Sequence, residues 1–192
     1  MKTLLITGFD PFGGQEINPA WEAVQCLPDT VGDYQICKLQ IPTIFRKAPE
    51  TVLEKAQALH PDVIISIGQA SGRTAVTPER VGINMMSATM ADNAGVMPVE
   101  ESIVPGGPDG IFATVPVYAM AQAITAAGLP GMVSNTAGTF VCNNVLYTLL
   151  HHFAGTGTRV GFIHVPNQPQ QGEPSLSLEK TVQALEAALS VL

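Results

Sequence analysis

The chain has 192 residues, of which 46% are hydrophobic and only 13% are charged. This length suits one domain with a sizeable core, so we expect residues 1–192 to form a single domain. The net charge of −7 and the nine scattered Lys and Arg residues argue against a nucleic-acid partner, because phosphate binding needs clustered cations. No apolar run approaches the roughly 20 residues of a membrane span, and the apolar start of the chain is too short for a signal peptide.

The cysteines predict neither a disulfide framework nor a zinc site. Cys26, Cys37 and Cys142 are odd in number and lack C-x-x-C spacing. Because no export signal precedes them, we expect a cytoplasmic protein whose thiols stay reduced.

Apolar runs and helical patterns alternate along most of the chain. In order, they predict a strand at 4–7, helix 21–27, strand 35–41, helix 45–59, strand 63–67, helix 113–127, strand 131–134, helix 142–153, strand 159–165 and helix 177–192. Residues 68–109 contain one strand-like run, 81–88, and such a long irregular segment is usually functional. The order predicts an α/β fold of three layers, α/β/α, with a mostly parallel twisted central sheet.

Four loops with unusual composition follow predicted strands, at the edge where such sheets bind ligands. They lie at 8–14, 68–73, 134–140 and 164–166. Cys142, just beyond the third loop, lies at or near a helix start, where free N–H groups and the helix dipole stabilise a thiolate or an oxyanion. It is therefore a candidate nucleophile, and a buried, inert cysteine is the alternative.

His164 ends a predicted strand at the same edge and is the candidate base for that thiol. A structural strand-end histidine is the alternative interpretation. His60, His151 and His152 lie at predicted helix ends, where a solvated cation is favoured by the dipole.

A third group, a carboxylate, should orient the imidazole. The acids near the edge are Asp10, Glu79, Asp92, Glu100 and Glu101. Glu79 directly precedes an apolar run and is least like a surface acid, although an ion pair with Arg80 would also explain it.

The pocket at this edge is predicted to be apolar and to carry little charge. Phe9, Phe12 and Phe140 fall inside loops rather than regular elements, which suggests a pocket wall. Asn18 and Gln69 add neutral amides. The glycines of the first loop invite a phosphate-binding interpretation, but the loop lacks both G-x-G-x-x-G and the Walker lysine.

A series of motifs resembles the type I pyroglutamyl peptidases, also called pyrrolidone-carboxylate peptidases. They are G-F-D-P-F-G-G at 8–14, N-P at 18–19, G-Q-A-S-G-R at 68–73, T-P-E-R-V at 77–81, D-N at 92–93, S-N-T-A-G-T-F-V-C-N at 134–143, F-I-H-V-P at 162–166 and P-S-L-S-L at 174–178. The resemblance implies one α/β/α domain, a homotetramer, no cofactor, no metal, and N-terminally pyroglutamylated peptides as substrates.

The resemblance also implies a triad. Cys142 would attack the carbonyl after the pyroglutamyl residue and form a thioester, His164 would act as general base and then acid, and Glu79 would orient His164. Water would then release 5-oxoproline. The implied substrate-binding residues are Phe9, Phe12, Asn18, Gln69, Phe140 and Val141.

The sequence departs from the family pattern at three places. Thr89-Met90-Ala91 replaces an arginine followed by isoleucine-proline, a run of mostly polar residues at 167–171 follows His164, and Ser71 stands in the motif at 68–73. If the missing arginine assists the oxyanion, turnover should be weakened. These departures make a paralogue that binds pyroglutamyl ligands without efficient cleavage the first alternative. A nucleotide-binding α/β domain is a separate, third interpretation.

Overall fold

A computed structural model describes residues 1–192 and contains eight strands and five α-helices. The strands are β1 (Lys2–Phe9), β2 (Thr30–Val31), β3 (Tyr34–Ile41), β4 (Val63–Gln69), β5 (Thr77–Pro78), β6 (Val81–Ile83), β7 (Gly110–Phe112) and β8 (Arg159–Val165). The helices are α1 (Pro19–Cys26), α2 (Lys47–Leu59), α3 (Val117–Ala126), α4 (Val141–His152) and α5 (Leu178–Leu189). No helix combines the length and the apolar character needed to cross a membrane.

Six of the strands form one sheet in the order β2-β3-β1-β4-β8-β5. The pairs β1–β3, β1–β4 and β4–β8 are parallel, and the short outer strands β2 and β5 pair antiparallel to their neighbours. The central strands are buried almost without interruption, as strands covered on both faces must be. The mostly parallel sheet is confirmed.

Helices cover both faces of this sheet and give the predicted three layers. Along β1, Leu4 and Ile6 pack into a core cluster with α1, α3 and α5. Leu5 and Phe9 pack into a second cluster with α2 and α4. The alternation follows from the period of two along a strand, which sends successive side chains to opposite faces.

Three predicted elements differ from the structure. The predicted strand at 131–134 is wrong: Gly131 bridges only to Val76 and Ser134 only to Glu79, because Pro78 between these partners has no N–H to donate and interrupts the ladder. Helix α3 begins at Val117 rather than at residue 113, since Pro116 occupies its N-cap and β7 precedes it. The run at 81–88 is a strand only over β6.

The carboxyl ends of β1, β4 and β8 meet at one edge of the sheet because the three strands run parallel. The loops that follow these strands therefore converge, and α4 begins at the same edge with Cys142 in its first turn. This convergence forms the candidate site.

Gly8 of β1 allows α1 to approach the sheet closely. A Cβ at Gly8 would lie 2.8 Å from Trp21 Cα and 3.0 Å from Trp21 N, both backbone atoms.

We expect Gly8→Ala to lower the free energy of unfolding by about 1–3 kcal/mol through overpacking, measured as a lower urea midpoint at unchanged slope. Gly157→Ala is the control, because no heavy atom lies within 4 Å of a Cβ at that position. Equal midpoints for the two variants would contradict the close approach.

Candidate active site

A cavity of about 280 Å³ opens at the carboxyl edge of the sheet. Seven of the nine predicted site residues line it: Phe9, Phe12, Asn18, Gln69, Phe140, Cys142 and His164. The other two lie behind its wall. Glu79 is fully buried beside His164, and Val141, the first residue of α4, is packed into the core.

Cys142 is the second residue of α4, and Phe140 is the N-cap. Phe140 has an extended backbone and no side-chain capping bond, so the chain turns sharply from loop into helix. The N–H groups of Val141, Cys142 and Asn143 have no acceptor within the helix, as helix geometry requires for a first turn. These amides and the thiol lie together at the start of the helix.

Gly68 makes room for the thiol. A Cβ at Gly68 would lie 2.9 Å from Cys142 Sγ and 2.7 Å from Phe162 Cζ. Any larger residue at the end of β4 would displace either the sulfur or the ring. The motif at 68–73 therefore contributes space for the thiol as well as side chains to the site.

His164 is held by Glu79. His164 Nδ1 donates to Glu79 Oε1 at 2.7 Å, and both residues are buried. Pairing of β5 with β8 sets this distance, because Thr77 lies opposite His164 and the Glu79 amide donates to Phe162 O at 2.9 Å. Of the predicted acids, Glu79 is the one that bonds to His164.

Arg73 is the ion-pair partner of Glu79, a role that the sequence reasoning missed. Its guanidinium donates to Glu79 Oε1 at 2.6 Å, to the Thr77 hydroxyl, and to Thr136 O at 2.8 Å. Arg80, the alternative partner considered from the sequence, instead donates to an asparagine side chain. The available signal was the position of Arg73 at the end of a glycine-containing motif that follows a buried strand.

Burial and charge set the protonation states of the three groups. Burial favours the neutral form of Glu79, but the hydrogen bond and charge of His164, with the charge of Arg73, outweigh it and hold the Glu79 pKa below its usual value. Burial lowers the His164 pKa, although the hydrogen bond and charge of Glu79 oppose this shift. Burial, reinforced by the Glu79 charge, raises the Cys142 pKa to about 12 against the opposing effects of Arg73 and the Cys142 backbone N–H. The site at rest thus contains a carboxylate, a neutral imidazole and a neutral thiol.

The remaining acids have structural or surface roles. Asp10 Oδ1 accepts from the Thr43 amide at 2.7 Å, and Asp92 Oδ2 accepts from the Phe45 amide at 2.8 Å. Glu101 forms an exposed ion pair with Arg46, and Glu100 is exposed. The histidines His60, His151 and His152 are exposed at the ends of α2 and α4 and lie outside the cavity.

Aromatic rings form one side of the cavity. The Phe12 and Phe140 ring centroids lie 6.1 Å apart, and Phe45 packs edge-on against Phe140 at 5.1 Å. On the other side, the Phe162 ring packs behind His164 at 4.8 Å. The expected apolar wall is present, and Phe45 supports it by packing against Phe140.

The amide side chains of Asn18 and Gln69 differ in whether all their polar atoms have hydrogen-bond partners. Asn18 Oδ1 caps α1 by accepting from the Ala20 amide at 3.0 Å, and Asn18 Nδ2 donates to Asp10 O at 3.0 Å. Gln69 Nε2 donates to Asn167 Oδ1 at 2.7 Å, whereas Gln69 Oε1 is buried without a partner. Gln69 is therefore the amide with an unused acceptor.

Residues 89–91, the place of the missing arginine, do not line the cavity. Met90 is 43% exposed, and its methyl group lies 3.2 Å from where a Gly13 Cβ would be. The one arginine that lines the cavity is Arg73. No three His, Cys, Asp or Glu side chains are grouped so that they could hold a metal ion.

Comparisons with known proteins give one consistent family. A family model for pyroglutamyl peptidases matches residues 1–192. The pyrrolidone-carboxylate peptidase of Clostridium perfringens is 47% identical, with 98% of this chain and 92% of the relative covered, and that of Thermococcus onnurineus is 47% identical, with 97% and 96% covered. The crystal structure of Bacillus amyloliquefaciens pyroglutamyl peptidase I has 42% identity and a TM-score of 0.96, covering 100% of this chain and 96% of that one. The chain therefore belongs to the pyroglutamyl peptidase family and is a cysteine-type peptidase.

Proposed function

We propose that the protein is an exopeptidase that removes an N-terminal pyroglutamyl (5-oxoprolyl) residue from peptides through a thioester on Cys142. The observation that carries the proposal is that Cys142 and the Glu79-bound His164 line one small, largely apolar cavity. Family membership supports the same substrate class.

Acylation begins with the Cys142 thiol and the His164 imidazole both in their neutral forms. The Nδ1–H bond to Glu79 leaves His164 Nε2 as the basic nitrogen, which takes the Cys142 proton as sulfur attacks the carbonyl carbon after the lactam ring. The carbonyl oxygen becomes an oxyanion, and the free amides at the start of α4 stabilise it. The protonated His164 then gives its proton to the leaving amine, and the thioester remains.

Deacylation uses the same residues. His164 removes a proton from water, the resulting hydroxide attacks the thioester carbonyl, and the Cys142 thiolate leaves and recovers a proton. The products are 5-oxoproline and the shortened peptide. Glu79 stays ionised throughout, because Arg73 and His164 both bond to its Oε1, and it steadies the transient imidazolium.

The lactam ring fits the cavity in size and polarity. Phe9, Phe12 and Phe140 would contact its methylene groups, and Gln69 and backbone groups would bond to its amide. We also propose, from the family resemblance, that residues 1–192 act as a single domain and assemble as a homotetramer in the cytoplasm.

Cys142→Ser should abolish hydrolysis of a fluorogenic pyroglutamyl amide, by about 10³-fold or more, because a serine hydroxyl is a far weaker nucleophile than a thiol. His164→Ala should be similarly inactive. Cys26→Ser is the matched control, since Cys26 is exposed on α1 and outside the cavity. Wild-type turnover by Cys142→Ser would exclude the thioester. Saturable binding of 5-oxoproline by reduced wild-type protein without any cleavage would favour the binding paralogue instead.

Alkylation of Cys142 by iodoacetamide should still be rising at about pH 10, because the Cys142 pKa is raised to about 12 and the thiolate fraction grows tenfold for each pH unit below that value. Peptide mass spectrometry separates this site from Cys26 and Cys37. A plateau in the Cys142 rate near neutral pH would instead indicate a preformed thiolate–imidazolium pair.

Glu79→Gln should shift the acid limb of the kcat/KM profile to lower pH. The Glu79 hydrogen bond and charge hold the His164 pKa up against burial, so removing the charge lets that pKa fall further and the base stays neutral in more acid solution. We expect kcat to fall by about 10²-fold or more, because the imidazolium loses its counter-charge. Glu186→Gln, on the exposed face of α5, is the control. An acid limb that moves to higher pH would contradict the assigned role of Glu79.

A further inference from the structure

Gln69, in the cavity lining, forms a cluster with two polar side chains that do not line the cavity, and the proposed triad does not use any of the three. Asn167 Oδ1 accepts from Gln69 Nε2 at 2.7 Å and from the Ser71 hydroxyl at 2.9 Å. Gln69 Nε2 also lies 3.4 Å from Ser71 Oγ. Ser71 and Asn167 belong to two separate departures from the family motifs, and here they are in direct contact.

The backbone around the cluster is well anchored. Gln69 ends β4 opposite Val165 of β8, and Asn167 follows two residues later. Asn167 is only 8% exposed, bridges to Ser175, and accepts from the Leu176 amide at 2.8 Å. The cluster therefore ties the adjacent ends of β4 and β8 to the segment that leads into α5.

This arrangement fixes which end of the Gln69 amide is available. Nε2 is occupied by Asn167, so Oε1 is the free end, and it is buried without any hydrogen-bond partner. A buried acceptor without a donor is unfavourable, and a ligand that brings an N–H to it recovers that free energy. Gln69 itself lines the cavity.

We propose that Asn167 and Ser71 are positioning residues that present Gln69 Oε1 as the acceptor for the lactam N–H of the substrate. The cluster thereby makes the site selective for a ring that carries an N–H over a ring of the same shape that lacks one. This inference rests on the proposed function and adds to it the two residues that orient the Gln69 amide towards the lactam nitrogen.

The Asn167 side chain must turn its oxygen, Oδ1, and not its Nδ2 group, towards Gln69. If Asn167 were turned over, its Nδ2 would donate to Gln69 Oε1, and Gln69 would present Nε2, a donor, to the cavity. A carboxylate at position 167 distinguishes the two arrangements because it can only accept. Asn167→Asp preserves the proposed direction of both hydrogen bonds and is incompatible with the opposite one.

The test compares two substrates with the same fluorogenic amine, one pyroglutamyl and one 5-oxotetrahydrofuran-2-carbonyl, in which a ring oxygen replaces the lactam N–H. We expect wild-type kcat/KM to favour the lactam by about 10- to 100-fold, as for a buried polar group left without its partner. In Asn167→Leu that ratio should fall towards one, with a higher KM for the lactam and a kcat within a few-fold of wild type. Asn167→Asp should retain the wild-type ratio within about threefold, and Ser71→Ala should lose part of it.

The outcomes separate the inference from the proposed function. Retention of the lactam preference in Asn167→Leu would overturn the positioning role, and its loss in Asn167→Asp to the same extent as in Asn167→Leu would overturn the acceptor role of Gln69 Oε1. If wild-type protein cleaves neither substrate, the proposed function fails. Calorimetry of 5-oxoproline against the corresponding lactone acid, on wild type and the same variants, then measures the same ratio without catalysis. If Asn167→Leu does not fold, the lactam-to-lactone ratio is compared between wild type, Ser71→Ala and Asn167→Asp.

Discussion

The convergence of two donors on one buried carboxylate oxygen is the constraint on which the site depends. Glu79 is fully buried, and its Oε1 accepts from both His164 and Arg73. Burying an unpaired carboxylate would be very costly, so these two donors offset the burial of Glu79, which directly follows β5. The same bonds fix the imidazole tautomer, which leaves His164 Nε2 free to act as a base.

Two opposing effects act on the thiol, and burial is the stronger. The start of α4 favours a thiolate, as its sequence position predicts, and the Cys142 N–H does lower the pKa. Desolvation and the nearby charge of Glu79 nevertheless keep the thiol neutral. In the proposed mechanism, the helix amides would therefore stabilise little charge at rest and would act mainly when negative charge develops on the oxyanion, which is the arrangement that accelerates a reaction.

The fold was largely predictable because its signals are local. Continuous apolar runs marked β1, β4 and β8, and their parallel pairing brought Cys142 and His164 to one edge as expected. The interactions of Glu79 were not predictable in the same way. Arg80 is its neighbour in sequence, yet Arg73, six residues away, is its partner. Its bond to His164 spans 85 residues, because β5 pairs antiparallel with β8. The same limit applies to Asn167, whose contact with Gln69 spans 98 residues.

The charges around the cavity argue for a blocked peptide N-terminus as the ligand. Arg73 is the only residue with a permanent charge in the lining, and Glu79 lies behind His164 with its charge compensated. A free N-terminal ammonium would thus face a cation and an apolar wall, with no accessible carboxylate to offset its lost hydration. A lactam is uncharged, and in the arrangement proposed above its N–H would pair with Gln69 Oε1, which has no partner in the protein. Selection against ordinary peptides then follows from desolvation and repulsion, and selection for the lactam from one oriented amide.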